Sequence, residues 1–303
     1  MAWRHLPQKE PLIMKRSNFV LAALTAASVL ALGLLSCTSG ASTRTGKPVI
    51  LVVSFGTSYE ETRNKTIGAI ENAISAANPN YEIRRAFTSQ TIINILNRRD
   101  GIRVDNVDEA MKRLVRDKVK EVIIQPTHVM PGFEYNDVID EVKPYEKRFT
   151  NIRYGRPLLV SDQDFQEVAS ALINYTQQFT ADDTAVLFMG HGTEHDANEV
   201  YHRLDVLLKE HGNPGYFVGT VESEPTLEDI MEELRPLGVK RAVLLPLMIV
   251  AGDHANNDMA GGDDDSWKSI LEHEGYAVQA VLRGLGEYPE IQNIFVRHVR
   301  EAR

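Results

Sequence analysis

The sequence predicts an α/β protein of two similar lobes, each a parallel sheet flanked by helices, related by internal duplication. Three features lead to this prediction. Apolar runs rich in β-branched residues end in turns of small residues, as buried parallel strands do. Helical stretches separate these runs, an alternation that favours right-handed crossovers between parallel strands. The same order of patterns then occurs twice along the 303 residues.

The first copy of the pattern begins after a polar linker. A buried strand with its turn is predicted over residues 48–57, and a helix over 60–77. The elements that complete this copy are a strand, a helix start, an amphipathic helix and a strand, at 82–87, 92–97, 107–118 and 119–126. These elements suffice for one α/β lobe.

The second copy repeats this plan. Residues 184–193 match the first strand and turn, with Gly-Thr at 192–193 in the place of Gly-Thr at 56–57. Residues 239–246 match 119–126, and a Gly and an Asn beyond the strand recur at the same offset. Such agreement over strand and turn together predicts a duplicated lobe.

The repeat divides the chain into four parts. The predicted parts are a signal segment with its linker, a first lobe, a second lobe and a C-terminal helix, at 1–47, 48–165, 166–286 and 287–303. We expect the candidate site in the second lobe, for reasons that follow from the differences between the copies.

The composition is that of a folded, acidic protein. Of the residues, 43% are hydrophobic and 25% charged, and the formal net charge is −9. A protein that binds the phosphate backbone concentrates Lys and Arg, and no such cluster occurs here. The sequence therefore predicts no nucleic-acid partner.

The N-terminal segment indicates export. Lys and Arg at 15–16 precede an uncharged, mostly apolar run over 19–35, which is the pattern of a secretory signal. The single cysteine, Cys37, follows Leu-Leu-Ser, which resembles the lipobox of bacterial lipoproteins. Lipidation of Cys37, ordinary cleavage within 39–41 and a retained transmembrane anchor are the alternatives. We expect a periplasmic protein whose membrane contact, under the first alternative, is a lipid anchor.

The two copies differ at positions just past the strand ends. Under the alignment, His191 takes the place of Phe55, and His254 takes the place of Glu134. Glu222 stands at the end of a further strand of the second lobe, predicted over 216–221. Because ligands of open parallel sheets bind beyond the carboxyl ends of the strands, these three side chains are expected to share one cleft.

Two imidazoles and a carboxylate suit a divalent ion such as Co²⁺, Ni²⁺, Fe²⁺ or Zn²⁺ and leave coordination positions open. Neutral imidazole is also a base near neutral pH. The alternative is that His191 and His254 only form hydrogen bonds to loop backbone.

Three other features carry a weaker indication. His195 is four residues from His191, but Gly192 interrupts any helix that would pair them, which favours a loop histidine. The Asp run at 263–265 is either a solvated loop or a source of attraction for cations. Glu224 is a second carboxylate near Glu222, with no predicted direction.

The segments around the three residues resemble the anaerobic, CbiK-type sirohydrochlorin cobaltochelatases. The segments that carry the resemblance are MGHGT, VGTVE and LPLMIVAGDHANNDMA at 189–193, 218–222 and 245–260, together with 54–58, 264–267 and 284–287. The similarity extends from about Pro48 to the C terminus. It implies two α/β lobes of the class II chelatase type.

The resemblance also implies an activity: insertion of Co²⁺ into sirohydrochlorin with release of two protons, without ATP, on the anaerobic route to cobalamin. Its metal ligands fall on His191, Glu222 and His254, and we expect His191 to accept a proton. Fe²⁺ and Ni²⁺ are alternatives to Co²⁺, and no organic cofactor is predicted.

Substrate contacts and assembly are less well specified by the sequence. We expect hydrogen bonds to the tetrapyrrole from Ser54, Thr57, Ser58, Ser89 and His128. A homo-oligomer is one alternative for the assembly. The predicted export departs from the commoner cytoplasmic members of the family, and the main rival function is therefore an exported metal- or tetrapyrrole-binding protein for transport.

Overall fold

Each half of the protein carries a four-stranded parallel sheet, and the two sheets have the same strand order. The computed structural model describes residues 46–302, so the predicted export signal, Cys37 and the cleavage site at 39–41 lie outside the described residues. The order is β2-β1-β3-β4 in the first lobe and β6-β5-β7-β8 in the second. All six strand pairings are parallel. The predicted fold class is confirmed.

The strands have the residue bounds β1 Val49–Ser54, β2 Glu82–Phe87, β3 Glu121–Pro126, β4 Asn151–Tyr154, β5 Thr184–Gly190, β6 Tyr216–Thr220, β7 Arg241–Pro246 and β8 Ala277–Ala280. Every residue of the two first strands, β1 and β5, is buried. Their β-branched and apolar side chains pack on both faces, as central parallel strands require.

The helices have the bounds α1 Glu60–Lys65, α2 Ile67–Ala77, α3 Gln90–Ile95, α4 Val107–Arg116, α5 Phe133–Val142, α6 Asp162–Thr176, α7 Glu199–His211, α8 Leu227–Leu234, α9 Trp267–His273 and α10 Pro289–Arg300. Short π-helical turns occupy Leu96–Asp100 and Ala255–Met259. Within residues 46–302, no helix combines the length and apolar character needed to cross a bilayer.

The structure departs from the local expectations in two ways. The helix predicted over 60–77 is interrupted at Thr66, whose φ of −111° and ψ of −81° are not helical. The Thr66 hydroxyl donates to the Thr62 carbonyl over 2.6 Å, a backbone contact that competes with helical geometry. Helices α5 to α9 and the edge strands β4 and β8 were not predicted. The two edge strands have four residues each, which is too short for a clear alternation.

One continuous apolar core joins the two sheets. It includes Ile50 of β1, Phe188 of β5, Leu172 of α6 and Phe295 of α10. Helix α6 crosses the predicted boundary between the lobes, at residues 165 and 166. Helix α10 packs against both α2 of the first lobe and α6. The two sheets therefore share one apolar core.

A buried ion cluster fixes α10 to α6. The Asp164 carboxylate is fully buried and accepts hydrogen bonds from His298 Nε2 over 2.8 Å and from Arg297 over 2.7 Å. The Ser161 N–H donates to the same carboxylate over 2.8 Å. Burial alone raises the pKa of Asp164, but the hydrogen bonds from His298, Ser161 and Arg297 outweigh burial and hold this pKa far below its usual range.

Candidate metal centre

The turns after β5 and β6 are held side by side by backbone contacts. The Glu222 N–H donates to the His191 carbonyl over 2.9 Å. Gly192 has a φ of +89°, and a Cβ there would lie 2.8 Å from the backbone nitrogen of Ser223. Only glycine allows this conformation and this approach at low cost. The turn chemistry therefore places the His191 and Glu222 side chains together.

The third side chain comes from the turn after β7, the other neighbour of β5 in the sheet. His254 precedes the π-helical turn Ala255–Met259. The rings of His191 and His254 meet edge to face, with 4.7 Å between centroids. One ligand atom from each of His191, Glu222 and His254 lies within 4.8 Å of the others. The structure thus brings together the three residues proposed from the strand ends.

Both histidines have one ring nitrogen committed to a hydrogen bond. His254 Nδ1 donates to the Asp258 carboxylate over 2.9 Å, and His191 Nδ1 donates to the Gly192 carbonyl over 2.9 Å. Since both partners act as acceptors, Nδ1 carries a proton in each ring, and the neutral form of each ring has its lone pair on Nε2. Histidines that bind metals are oriented by partners of this kind.

The donor set is that of an open metal site. Two imidazole nitrogens and one carboxylate oxygen are ligands that Co²⁺, Fe²⁺, Ni²⁺ and Zn²⁺ accept. Three protein ligands leave positions for further ligands, whereas structural sites are usually closed. The side chains of His191 and Glu222 are 47% and 55% exposed, so an incoming molecule can reach the ion.

The three side chains face a cavity of about 540 Å³ between the strand ends of the two lobes. The first lobe contributes the turn after β1, the segment after β3 and the start of α5. The second lobe contributes the turns after β5, β6 and β7. Ligand sites of open α/β sheets lie in the same place, beyond the carboxyl ends of the strands.

Four of the five predicted substrate contacts line this cavity: Ser54, Thr57, Ser58 and His128. Ser54 is fully buried, and its hydroxyl accepts a hydrogen bond from Thr127 over 2.8 Å. Ser89 lies elsewhere, contrary to expectation. It caps α3, and its hydroxyl accepts the Ile92 N–H over 3.4 Å. Capping residues of this type satisfy the free N–H groups of a helix start.

Glu134 is a functional candidate that the sequence indicates only as the counterpart of His254. Its carboxylate lines the cavity, 3.5 Å from His128 Nε2. Burial raises the pKa of Glu134, although the nearby His191 opposes this shift. Burial lowers the pKa of His128 to about 4, and neither ring nitrogen of His128 has a hydrogen-bond partner in the described residues. The duplication was the signal for Glu134, because it aligns this residue with a candidate ligand.

The weaker candidates lie outside the three-residue group. His195 Nδ1 accepts the Ala197 N–H over 2.9 Å, and the His195 ring contacts Phe133 edge to face. The acidic run at 263–265 is exposed to solvent. The Glu224 carbonyl accepts a hydrogen bond from Asn198 over 2.7 Å. In residues 46–302 the metal-ligand grouping contains none of these side chains.

Comparison with known families agrees with this geometry. The family model described as cobalt chelatase (CbiK) matches residues 48–303, which is nearly all of the chain outside the predicted signal segment. The chain belongs to the CbiK family. The resemblance read from the sequence is confirmed.

Two relatives in this family are similar over almost their whole length. A sirohydrochlorin cobaltochelatase of Salmonella typhimurium is 41% identical over 256 residues, covering 84% of this chain and 96% of the relative. The sirohydrochlorin cobaltochelatase CbiKC of Nitratidesulfovibrio vulgaris is 35% identical over 261 residues, covering 84% of this chain and 90% of the relative.

Solved structures support the fold. SirB from Bacillus subtilis, solved with Fe³⁺, has a TM-score of 0.60 at 15% identity, covering 84% of this chain and 95% of that chain. CbiX, described as the terminal enzyme of sirohaem biosynthesis in denitrifying bacteria, has a TM-score of 0.50 at 17% identity, covering 84% and 98%. At such identities the likeness concerns the fold alone.

Proposed function

We propose that this protein is a sirohydrochlorin cobaltochelatase, which inserts Co²⁺ into sirohydrochlorin with release of two protons and without ATP. The observation that carries the proposal is the convergence of His191, Glu222 and His254 on one cavity in a CbiK-family chain. The names of the two relatives described above indicate the identity of the substrate. The reaction is then a step of the anaerobic synthesis of cobalamin.

Co²⁺ enters as a substrate and is held by the three side chains. The imidazoles of His191 and His254 and the Glu222 carboxylate would hold the ion and leave coordination positions for the pyrrole nitrogens of the substrate. His254 is the more firmly oriented ligand, because its partner is the charged carboxylate of Asp258. His191 has a neutral carbonyl partner, which makes it the ligand that is released more readily.

Insertion breaks two pyrrole N–H bonds, so two proton acceptors are needed. His191 accepts one proton on Nε2 as that nitrogen leaves the ion. Glu134, which belongs to the other lobe and lines the same cavity, accepts the second on its carboxylate. The pKa of Glu134 is raised by partial desolvation in the cavity, and such a carboxyl group holds a proton more readily than one with the ordinary pKa. Co²⁺ then has the ring nitrogens as ligands, and both protons pass to solvent.

The deciding experiment measures turnover. The protein is incubated anaerobically with sirohydrochlorin and Co²⁺, and formation of the cobalt complex is followed by absorption. A chelatase continues beyond one equivalent of product, whereas a metal- or tetrapyrrole-binding transport protein stops at one. Product limited to a single equivalent would contradict the proposed function.

The same assay decides the metal. Nitrogen and oxygen ligands distinguish Co²⁺, Fe²⁺ and Ni²⁺ only modestly, so availability contributes to the choice. We propose Co²⁺ as the preferred substrate. Parallel assays with the three ions, under metal competition, test this, and faster turnover with Fe²⁺ or Ni²⁺ would reassign it.

We propose further that the protein acts in the periplasm, on the basis of the signal pattern before Cys37. Cell fractionation gives its compartment, and mass spectrometry of the mature N terminus distinguishes a lipidated Cys37 from cleavage within 39–41. Recovery of an uncut chain in the cytoplasm would contradict export. Sedimentation analysis of the purified chain gives the oligomeric state.

A further inference from the structure

The cavity contains an unusual concentration of exposed aromatic side chains. Within residues 46–302, every aromatic residue among the exposed large hydrophobic ones lines the cavity: Phe55, Tyr59 and Phe133 are 47%, 39% and 56% exposed. Exposed apolar groups gathered in one concave site indicate a ligand with an apolar face. Flat aromatic rings in particular pack well against other flat π systems.

All three aromatic residues belong to the first lobe, whereas the three candidate metal ligands belong to the second. Phe55 occupies the position that His191 has in the second copy, and Phe133 is next to Glu134, which aligns with His254. The duplicated strand ends have therefore diverged into an aromatic side and a metal-binding side of one cavity.

Phe133 is held in place before any ligand arrives. Its ring packs edge to face against His195 of the second lobe, with 4.8 Å between centroids and 88° between planes. His195 is itself fixed by the Ala197 N–H, which donates to Nδ1 over 2.9 Å. A side chain already ordered loses less conformational freedom on binding.

The charges that line the cavity do not favour recognition of the substrate through its carboxylates. The acidic residues that line it are Glu134, Glu194, Glu222 and Asp253, and in the described part of the chain no Lys or Arg side chain lines it. Sirohydrochlorin carries many carboxylate arms, which this negative field repels. The flat face of the macrocycle carries no such charge, so aromatic side chains can attract it without this repulsion.

We propose that Phe55 and Phe133 form an aromatic wall on which one face of the tetrapyrrole packs, so that the first lobe binds the ring and the second lobe binds the metal. This inference rests on the proposed function for the identity of the ring. Tyr59 lies at the edge of the wall, where its hydroxyl donates to Asp253 over 2.9 Å and links the two lobes.

If the aromatic wall binds the ring, affinity for the ring and affinity for Co²⁺ should be lost in different variants. In the full chain, Phe55→Ala and Phe133→Ala are each expected to weaken binding of metal-free sirohydrochlorin about tenfold, because one stacking surface is lost. Affinity for Co²⁺ alone is expected to stay unchanged in both variants. Glu222→Gln is expected to show the reverse, with weaker Co²⁺ binding and with binding of the metal-free ring retained or tightened, because one repelling charge is removed.

The measurement is an anaerobic titration of the fluorescence of metal-free sirohydrochlorin. Leu237→Ala is the matched control, since it removes an exposed apolar side chain outside the cavity. Phe133→Tyr keeps the flat ring and is expected to retain affinity, whereas Phe133→Leu keeps apolar volume and is expected to lose it. Ring affinity is also expected to stay level or rise between about 50 mM and about 500 mM NaCl, because salt screens the repulsion.

The results separate this inference from the proposed function. Unchanged ring affinity in both alanine variants, or affinity that falls steeply with salt, would overturn the aromatic wall even if turnover is normal. Loss of ring affinity in the two variants, without turnover in the unaltered protein, would support the wall and contradict the chelatase. An unaltered protein that binds no metal-free ring would overturn the wall directly.

Discussion

The contact between Asp258 and His254 allows a test of how the metal is held. Asp258→Asn keeps the shape of the side chain but replaces the carboxylate that accepts from His254 Nδ1 over 2.9 Å. Loss of such a partner typically lowers metal affinity by roughly 10- to 100-fold. The side chains of Asp258 and His254 are 45% and 34% exposed, so solvent screening favours the lower end of this range. We expect Co²⁺ affinity to fall about tenfold, or about 1.4 kcal/mol.

The assay is a titration of the protein with Co²⁺, followed by the visible absorption of the bound ion. Asp263→Asn is the control, because it removes an equal charge from an exposed loop of the same lobe. Asp258→Glu is expected to recover part of the affinity. In turnover, the KM for Co²⁺ should rise while that for sirohydrochlorin stays constant. Equal losses of Co²⁺ affinity in Asp258→Asn and Asp263→Asn would refute the role of Asp258 in orienting His254. Only long-range attraction of the ion by the two carboxylates would then remain.

Three further predictions concern the protons and the fold. His191→Ala should abolish turnover, measured as cobalt complex formed per protein, and an unchanged rate would remove His191 from the mechanism. Because burial raises the pKa of Glu134, the wild-type rate should rise with pH through a value above the usual ~4.3 for Glu. Glu134→Gln should lose this rise and lower kcat without changing Co²⁺ affinity, and a pH profile identical to wild type would contradict its role. The pKa of Asp164 is lowered in the folded state, so its stabilisation is complete above the unfolded value of ~3.9 and is lost as the pH falls below it. Asp164→Asn, which removes the buried carboxylate that accepts hydrogen bonds from His298 and Arg297, should lower the free energy of unfolding by about 3 kcal/mol at neutral pH. Its denaturant unfolding should depend less on pH between about 4 and 2, and unchanged stability would show that the cluster does not hold α10.

Local sequence patterns predicted six of the eight strands in the described residues, because strand formation depends on runs of apolar, β-branched residues, and missed the short edge strands β4 and β8. Strand β2 has the predicted bounds, and β3 and β7 each begin two residues later than expected. Helix α5 was not predicted. The sequence therefore did not indicate that Phe133 and Glu134, at the start of this helix, face the cavity. Their positions depend on packing between elements far apart in the chain.

By itself the sequence determined the duplicated α/β architecture and the three strand-end residues His191, Glu222 and His254, since both follow from periodicity and the alignment of two copies. Only the tertiary structure decided which ring nitrogens are free, that Ser89 caps a helix, and that an aromatic side faces a metal-binding side. The physical reason is that periodicity reports which face of an element is buried. The direction of a loop side chain depends on hydrogen bonds and contacts made by residues distant in sequence.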